Sequence, residues 1–181
     1  MKNKLIQYLT LLFLFFTSQA FSNPINKINF IGLNNISESS LLKEIPFTIG
    51  MDFSSYESNK IIEALFKTEL FSDISIVNTE DSLEITLVEN PIIKYVDLKL
   101  ESDSGLSGWL KGEKMLITGE IFDEQLNIFE LTSGNPLTQR KLNELTLLIE
   151  SKYIESGYYN SQIIKDIDID SQNRAGVTIS I

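Results

Sequence analysis

Gly50-Met51-Asp52-Phe53-Ser54 is answered 84 residues later by Gly134-Asn135-Pro136-Leu137-Thr138, and the match runs on, Ile61 with Leu145 and Leu65 with Ile149. One constant offset over so many positions is an internal repeat. Each copy opens a helix. In the first, Ser54 and Glu57 have capping-box spacing, and Ile61, Ala64 and Leu65 form an apolar stripe widened by Ile62 and Phe66. Glu63 and Lys67 make an i,i+4 pair outside it. In the second, Thr138 caps a helix lined by Leu142, Leu145 and Ile149, Leu137 can staple onto Leu142, and Gly157 suits a left-handed end.

Outward from these helices, the spacing predicts strands and one more helix. Residues 25–33 alternate, with Ile28 and Phe30 on one face, until Gly32, Asn34 and Asn35 break the pattern. Ser37 can cap a short helix through Leu41 and Leu42, which Pro46 ends. Two strands follow the repeat helix, 73–78 and 83–89, joined by a polar loop over 79–82. After Asn90-Pro91 a new strand starts at Ile92, with Tyr95, Val96, Leu98 and Leu100 in it. The last hairpin alternates Ile and Asp from Ile163 to Asp170 and returns through Val177, Ile179 and Ile181. The order strand, helix, helix, strand, strand is complete in the first copy and starts again after Asn90-Pro91. The fold class is α+β, with modules over 23–91 and 92–181.

The copies differ in length. Phe30 matches Leu98 at an offset of 68 and Gly50 matches Gly134 at 84, so the second copy holds sixteen extra residues, placed near 102–124. They include four glycines and Trp109, the only tryptophan.

The first residues read as an export signal: Lys2 and Lys4, an apolar run over 5–16, then the small residues Ser18 and Ala20, with cleavage after Ala20 or Ser22. The alternative, a retained anchor, meets a run of only about a dozen residues where a crossing helix needs about 20. Without the two leader lysines the net charge moves from −10 to −12. Cations scattered among more numerous carboxylates do not suit nucleic acid, which needs them clustered. No Cys or His occurs, which removes thiol nucleophiles, disulfides, the softer metal ligands and the commonest general base. Asp166, Asp168 and Asp170 open like a calcium loop, but Ser171 and Val177 stand where glycine and a bidentate acid are required. No nucleophile elbow or phosphate loop appears either. The expectation is no enzyme, no metal and no cofactor. Alternating Ile and Asp reads as a half-buried strand with an acidic face, and Tyr158 and Tyr159 as hairpin packing residues.

The first module resembles the POTRA domains that precede the barrel of outer-membrane assembly and polypeptide-transport proteins. The likeness lies in Phe30-Ile31-Gly32-Leu33, in Gly50-Met51-Asp52-Phe53, and in the run from Ala64 through Thr68-Glu69-Leu70-Phe71 to Ile74. Glu89-Asn90-Pro91-Ile92 resembles the family's junction, and Gly157-Tyr158-Tyr159 extends the likeness to the second module. Glu69 departs from it, standing where the family usually has glycine.

The resemblance implies two tandem modules, each a three-stranded mixed sheet covered by two helices, with strand three central and strand two outer. It implies a periplasmic polypeptide-binding region, exported to the inner side of the outer membrane and attached through a barrel absent from this chain. Unfolded outer-membrane proteins would be its clients and accessory assembly lipoproteins its partners. Client strands would add to the outer edges by β-augmentation. The implied binding residues are Asp73, Ile74, Ser75, Ile76 and Val77 in the first module, and Ile163, Ile164, Lys165, Asp166 and Ile167 in the second. Trp109 is the candidate partner contact. Two alternatives stay open: a two-partner secretion or autotransporter assembly protein, and a free-standing periplasmic binding protein. Because the chain ends on a strand at Ile181, a fragment of a longer protein is expected.

Overall fold

The computed structural model describes residues 24–79, 81–99 and 116–181. The expected export signal and Trp109 lie outside the described residues. The first module runs β1 (Lys27–Ile31), α1 (Glu38–Glu44), α2 (Ser55–Lys67), β2 (Phe71–Asn78) and β3 (Ser82–Glu89). The second runs β4 (Ile92–Lys99), α3 (Gly119–Ile128), α4 (Gln139–Glu155), β5 (Ile164–Ile169) and β6 (Arg174–Ser180). The sheets are ordered β1-β3-β2 and β4-β6-β5, with the third strand of each module central, parallel to the first and antiparallel to the second. This is the order the resemblance implies.

The repeat extends to the hydrogen bonds at the entrance of the longer helix. Gly50 donates to the Ile25 carbonyl at 2.8 Å and Gly134 to that of Ile93 at 2.9 Å, and both glycines have φ +94°. In return Ile25 donates to Met51 and Ile93 to Asn135. Each copy therefore locks the entrance of its longer helix onto its first strand. Positive φ is what demands glycine here, since an added Cβ at either position meets no atom within 4 Å.

The caps fall where their residue types predict. The Ser37, Ser54 and Thr138 hydroxyls accept from the amides of Ser40, Tyr56 and Lys141. In each module the helices close one sheet face. Ile61 and Leu65 of α2 pack with Leu83 and Ile85 of β3, and Leu145 and Ile149 of α4 with Val177 and Ile179 of β6. Phe66, expected to widen the first stripe, is 43% exposed, because the sheet takes only the Ile61–Leu65 side of the helix.

Part of the stretch expected as an insertion is helical. Thr118 caps α3 as Ser37 caps α1, and Phe122 is buried as Leu41 is, both at an offset of 81. Thirteen of the sixteen extra residues therefore precede Thr118, and the other three make α3 ten residues long against seven in α1. Strand alternation in β4 is broken by a register shift between Ile93 and Tyr95, which puts both Ile93 and Val96 in the core.

Candidate strand-capture edges and the module junction

Both outer strands pair on one side only, and the turn hydrogen bonds show which backbone groups are left over. Asp170 donates to the Arg174 carbonyl, and their pairing continues the β5–β6 register. N–H and C=O of one residue point the same way in an antiparallel strand, and the direction alternates. Asp168 and Asp166 therefore point toward β6. Lys165, Ile167 and Ile169 point to the free edge. The same reasoning from Thr79, which donates to Ser82, turns Ile74, Ile76 and Asn78 of β2 outward.

The side chains of the two edges differ. Ile74 and Ile76 lie opposite Leu87 and Ile85 on the helix-covered face, Ile74 buried and Ile76 half-buried against the first core. Lys165, Ile167 and Ile169 lie opposite Ile179, Val177 and Ala175 on the equivalent face, yet every residue of β5 is exposed. Helix α4 packs over β4 and β6 and leaves β5 uncovered. The expected half-buried strand is thus a bare one, with Ile167 37% and Ile169 53% exposed. Ile163 stands before β5 and packs against the second core instead of joining the edge. A groove runs between the start of β5 and α4, lined by Asn143, Leu147, Glu150, Ile163, Ile164 and Lys165. Lys165 closes one end by donating to Asn143 Oδ1 at 2.7 Å. Tyr158 packs edge-on against Tyr153, but Tyr159 is 77% exposed and packs nowhere as expected of it.

The junction holds contacts that the spacing did not reveal. Glu89 is buried at the end of β3, where its carboxylate accepts from the amides of Asn34, Asn35 and Ile36. Asn90 donates through its side chain to the Glu69 carbonyl at 2.8 Å and through its amide to Leu70. The short connection is therefore tied to the loop after β1 and to the loop before β2. From the second module, Asn173 donates to the Glu89 carbonyl.

An ion cluster crosses the same junction. Lys141, in the first turn of α4 and only 8% exposed in its side chain, donates to Glu69 of the first module and to Glu130 Oε2 at 2.6 Å. Arg140 adds a 2.7 Å bridge to Glu69. Burial alone would pull the Lys141 ammonium down, but the hydrogen bonds it donates to Glu130 and Glu69 outweigh it and hold the group above its ordinary value. The Lys141 ammonium in turn holds the Glu69 carboxyl below the usual carboxylate range. Both glutamates adopt left-handed backbone, Glu69 at φ 58° and Glu130 at φ 55°. The departure from glycine at 69 thus keeps the left-handed helix end and adds a side chain that reaches the neighbouring module.

Glu69→Ala keeps the strained φ and loses the bridge, whereas Glu69→Gly loses the bridge and relieves the strain. Glu69→Gly is expected to be the more stable of the two by about 1 kcal/mol in urea unfolding. Equal stability would show that the left-handed turn carries no strain.

Among the described residues no helix is long and apolar enough to cross a membrane, and no cluster of acids could hold a metal ion.

The POTRA family model, described as a surface antigen variable number repeat, matches residues 113–181. The chain is similar to the outer membrane protein assembly factor BamA of Buchnera aphidicola subsp. Acyrthosiphon pisum, with 29% identity over 157 residues. It is also similar to that of Neisseria meningitidis serogroup B, with 24% identity over the same length. Each alignment covers 87% of this chain but only 23% and 18% of those relatives. Among solved structures, the N-terminal domain of Omp85 from Thermosynechococcus elongatus superposes with a TM-score of 0.49 at 16% identity, covering 86% of this chain and 61% of that one. The sheet order is the same in both modules, the POTRA family model matches the second, and the alignments to the two assembly factors span both, so this chain is similar over both modules to outer membrane protein assembly factors.

Proposed function

We propose that the chain is the periplasmic polypeptide-binding part of an outer-membrane protein assembly factor and that it receives unfolded barrel precursors by β-augmentation. One observation carries this reading: β5 turns the backbone groups of Lys165, Ile167 and Ile169 to a free edge while leaving their side chains uncovered. An incoming strand would gain main-chain hydrogen bonds and bury Ile167 and Ile169 at once. The β2 edge offers the hydrogen bonds alone, since Ile74 and Ile76 are already packed. The second module is therefore the stronger acceptor and the first the weaker. No chemistry is part of this reading; the work is binding and handing on. Accessory assembly lipoproteins are its second partner class, for which Ile31 and Val88, half-exposed on the uncovered face of the first sheet, offer apolar surface.

Proline at an outward-pointing position removes a donor from the free edge without touching the ladder. Ile167→Pro is expected to weaken binding of an unfolded outer-membrane protein by about tenfold, and Ile76→Pro by less, with both proteins folded by circular dichroism. Unchanged binding by Ile167→Pro would sink the β5 edge as the acceptor.

A further inference from the structure

The face of β5 opposite the helices carries Ile164, Asp166 and Asp168, lined up with Ser180, Thr178 and Gly176 of β6. Beyond them on β4 come Lys99, Asp97 and Tyr95 in the same three rows. Asp170 is taken up by Arg174 at 3.0 Å, whereas Asp166 and Asp168 have no ion-pair partner among the described residues. Asp97 stands in the Asp166 row, and the ring of Tyr95 covers Gly176 beside Asp168, so no cation of the sheet answers either carboxylate.

Two consequences follow for any strand that adds to this edge. Its residues on the helix side meet Ile167 and Ile169, which favour apolar partners. Its residues on the other side stand directly across from Asp166 and Asp168, where an opposite charge is stabilising and a like charge destabilising. A second copy of this chain is disfavoured by the same geometry. In antiparallel self-pairing the partners share a sheet face, so Asp166 and Asp168 would face aspartates of the other copy.

We infer that the β5 edge is selective: it takes an amphipathic client strand, apolar on the helix side and carrying Lys or Arg on the opposite side, and it excludes its own copy. The inference rests on the strand-capture reading and adds to it a preference set by two carboxylates.

Three fluorescent peptides of about ten residues, the length of a barrel strand, test it against the full chain. All alternate Val and Leu with a second residue, which is Lys, Thr or Glu. At low ionic strength the Lys peptide is expected to bind about fivefold more tightly than the Glu peptide, with Thr between. The double variant Asp166→Asn, Asp168→Asn should bind all three alike and leave the Thr peptide unchanged. Equal binding of the Lys and Glu peptides to the unaltered chain, or a preference that survives the double variant, overturns the selectivity while leaving strand capture standing. Failure of all three peptides to bind overturns strand capture itself. Sedimentation showing a dimer that Ile167→Pro abolishes would overturn the exclusion of self.

Discussion

Gly32→Ala is expected to lower the stability of the first module by about 3 kcal/mol or more, since two costs add at one position. Gly32 has φ +91°, which a residue with a Cβ adopts only under strain. Its ideal Cβ would also stand 2.1 Å from the Leu87 carbonyl oxygen, so β1 and β3 would have to separate just where the chain leaves the sheet. The backbone leaving Gly32 also carries the amides of Asn34 and Asn35 that the Glu89 carboxylate collects, and displacing it would strand that buried acid. Gly50 is the control. Its φ is as positive, but nothing lies near its Cβ, so Gly50→Ala should cost only the conformational part, about 1–2 kcal/mol. Urea unfolding of both variants decides the point, and equal losses would mean that the close approach at Gly32 costs nothing.

Lys141→Ala is expected to cost about 2–3 kcal/mol, less than the loss of a fully buried ion pair because Glu130 is well exposed. It leaves Glu130 without its counter-charge and Glu69 with Arg140 alone, both in left-handed turns. Lys141→Met restores the apolar stem and should recover part of the loss. Adding Glu69→Gly to Lys141→Met removes the carboxylate that Lys141 had held and one strained turn, so the pair should lie closer to the unaltered chain than the sum of the single changes. The pH dependence has a definite sign. Glu69 is held low, so its share of stability is present at neutral pH and lost as pH falls below about 4. Lys141 is held high, so its share is present at neutral pH and lost as pH rises beyond about 10.5. The junction should therefore loosen at both ends of that range, and Lys141→Met should flatten both losses.

What could be read from the sequence was local or repeated. Ser37, Ser54 and Thr138 act on amides two or three residues away, and Gly50 and Gly134 solve the same turn twice, so residue type and spacing suffice for them. The strand order came through the resemblance. The junction did not, because Glu69 and Lys141 meet across 72 residues and no spacing rule links them. Two local anomalies were its only signals. Glu69 stands at a position of glycine type, and Lys141 puts a cation in the positive first turn of a helix where the repeat has Glu57 in the first copy. Exposure of the β5 edge was equally hidden. Alternating Ile and Asp looks the same whether a helix covers the apolar face or stops one strand short of it, and here α4 stops at β6.

If a client strand adds to β5, amide hydrogen exchange of the full chain with and without an unfolded outer-membrane protein will show it. Capture predicts that the amides of Lys165, Ile167 and Ile169, which point to the free edge in the unbound chain, become protected on binding. Those of Asp166 and Asp168, already bonded to β6, should change far less. Binding that leaves Lys165, Ile167 and Ile169 unprotected would rule out capture at β5.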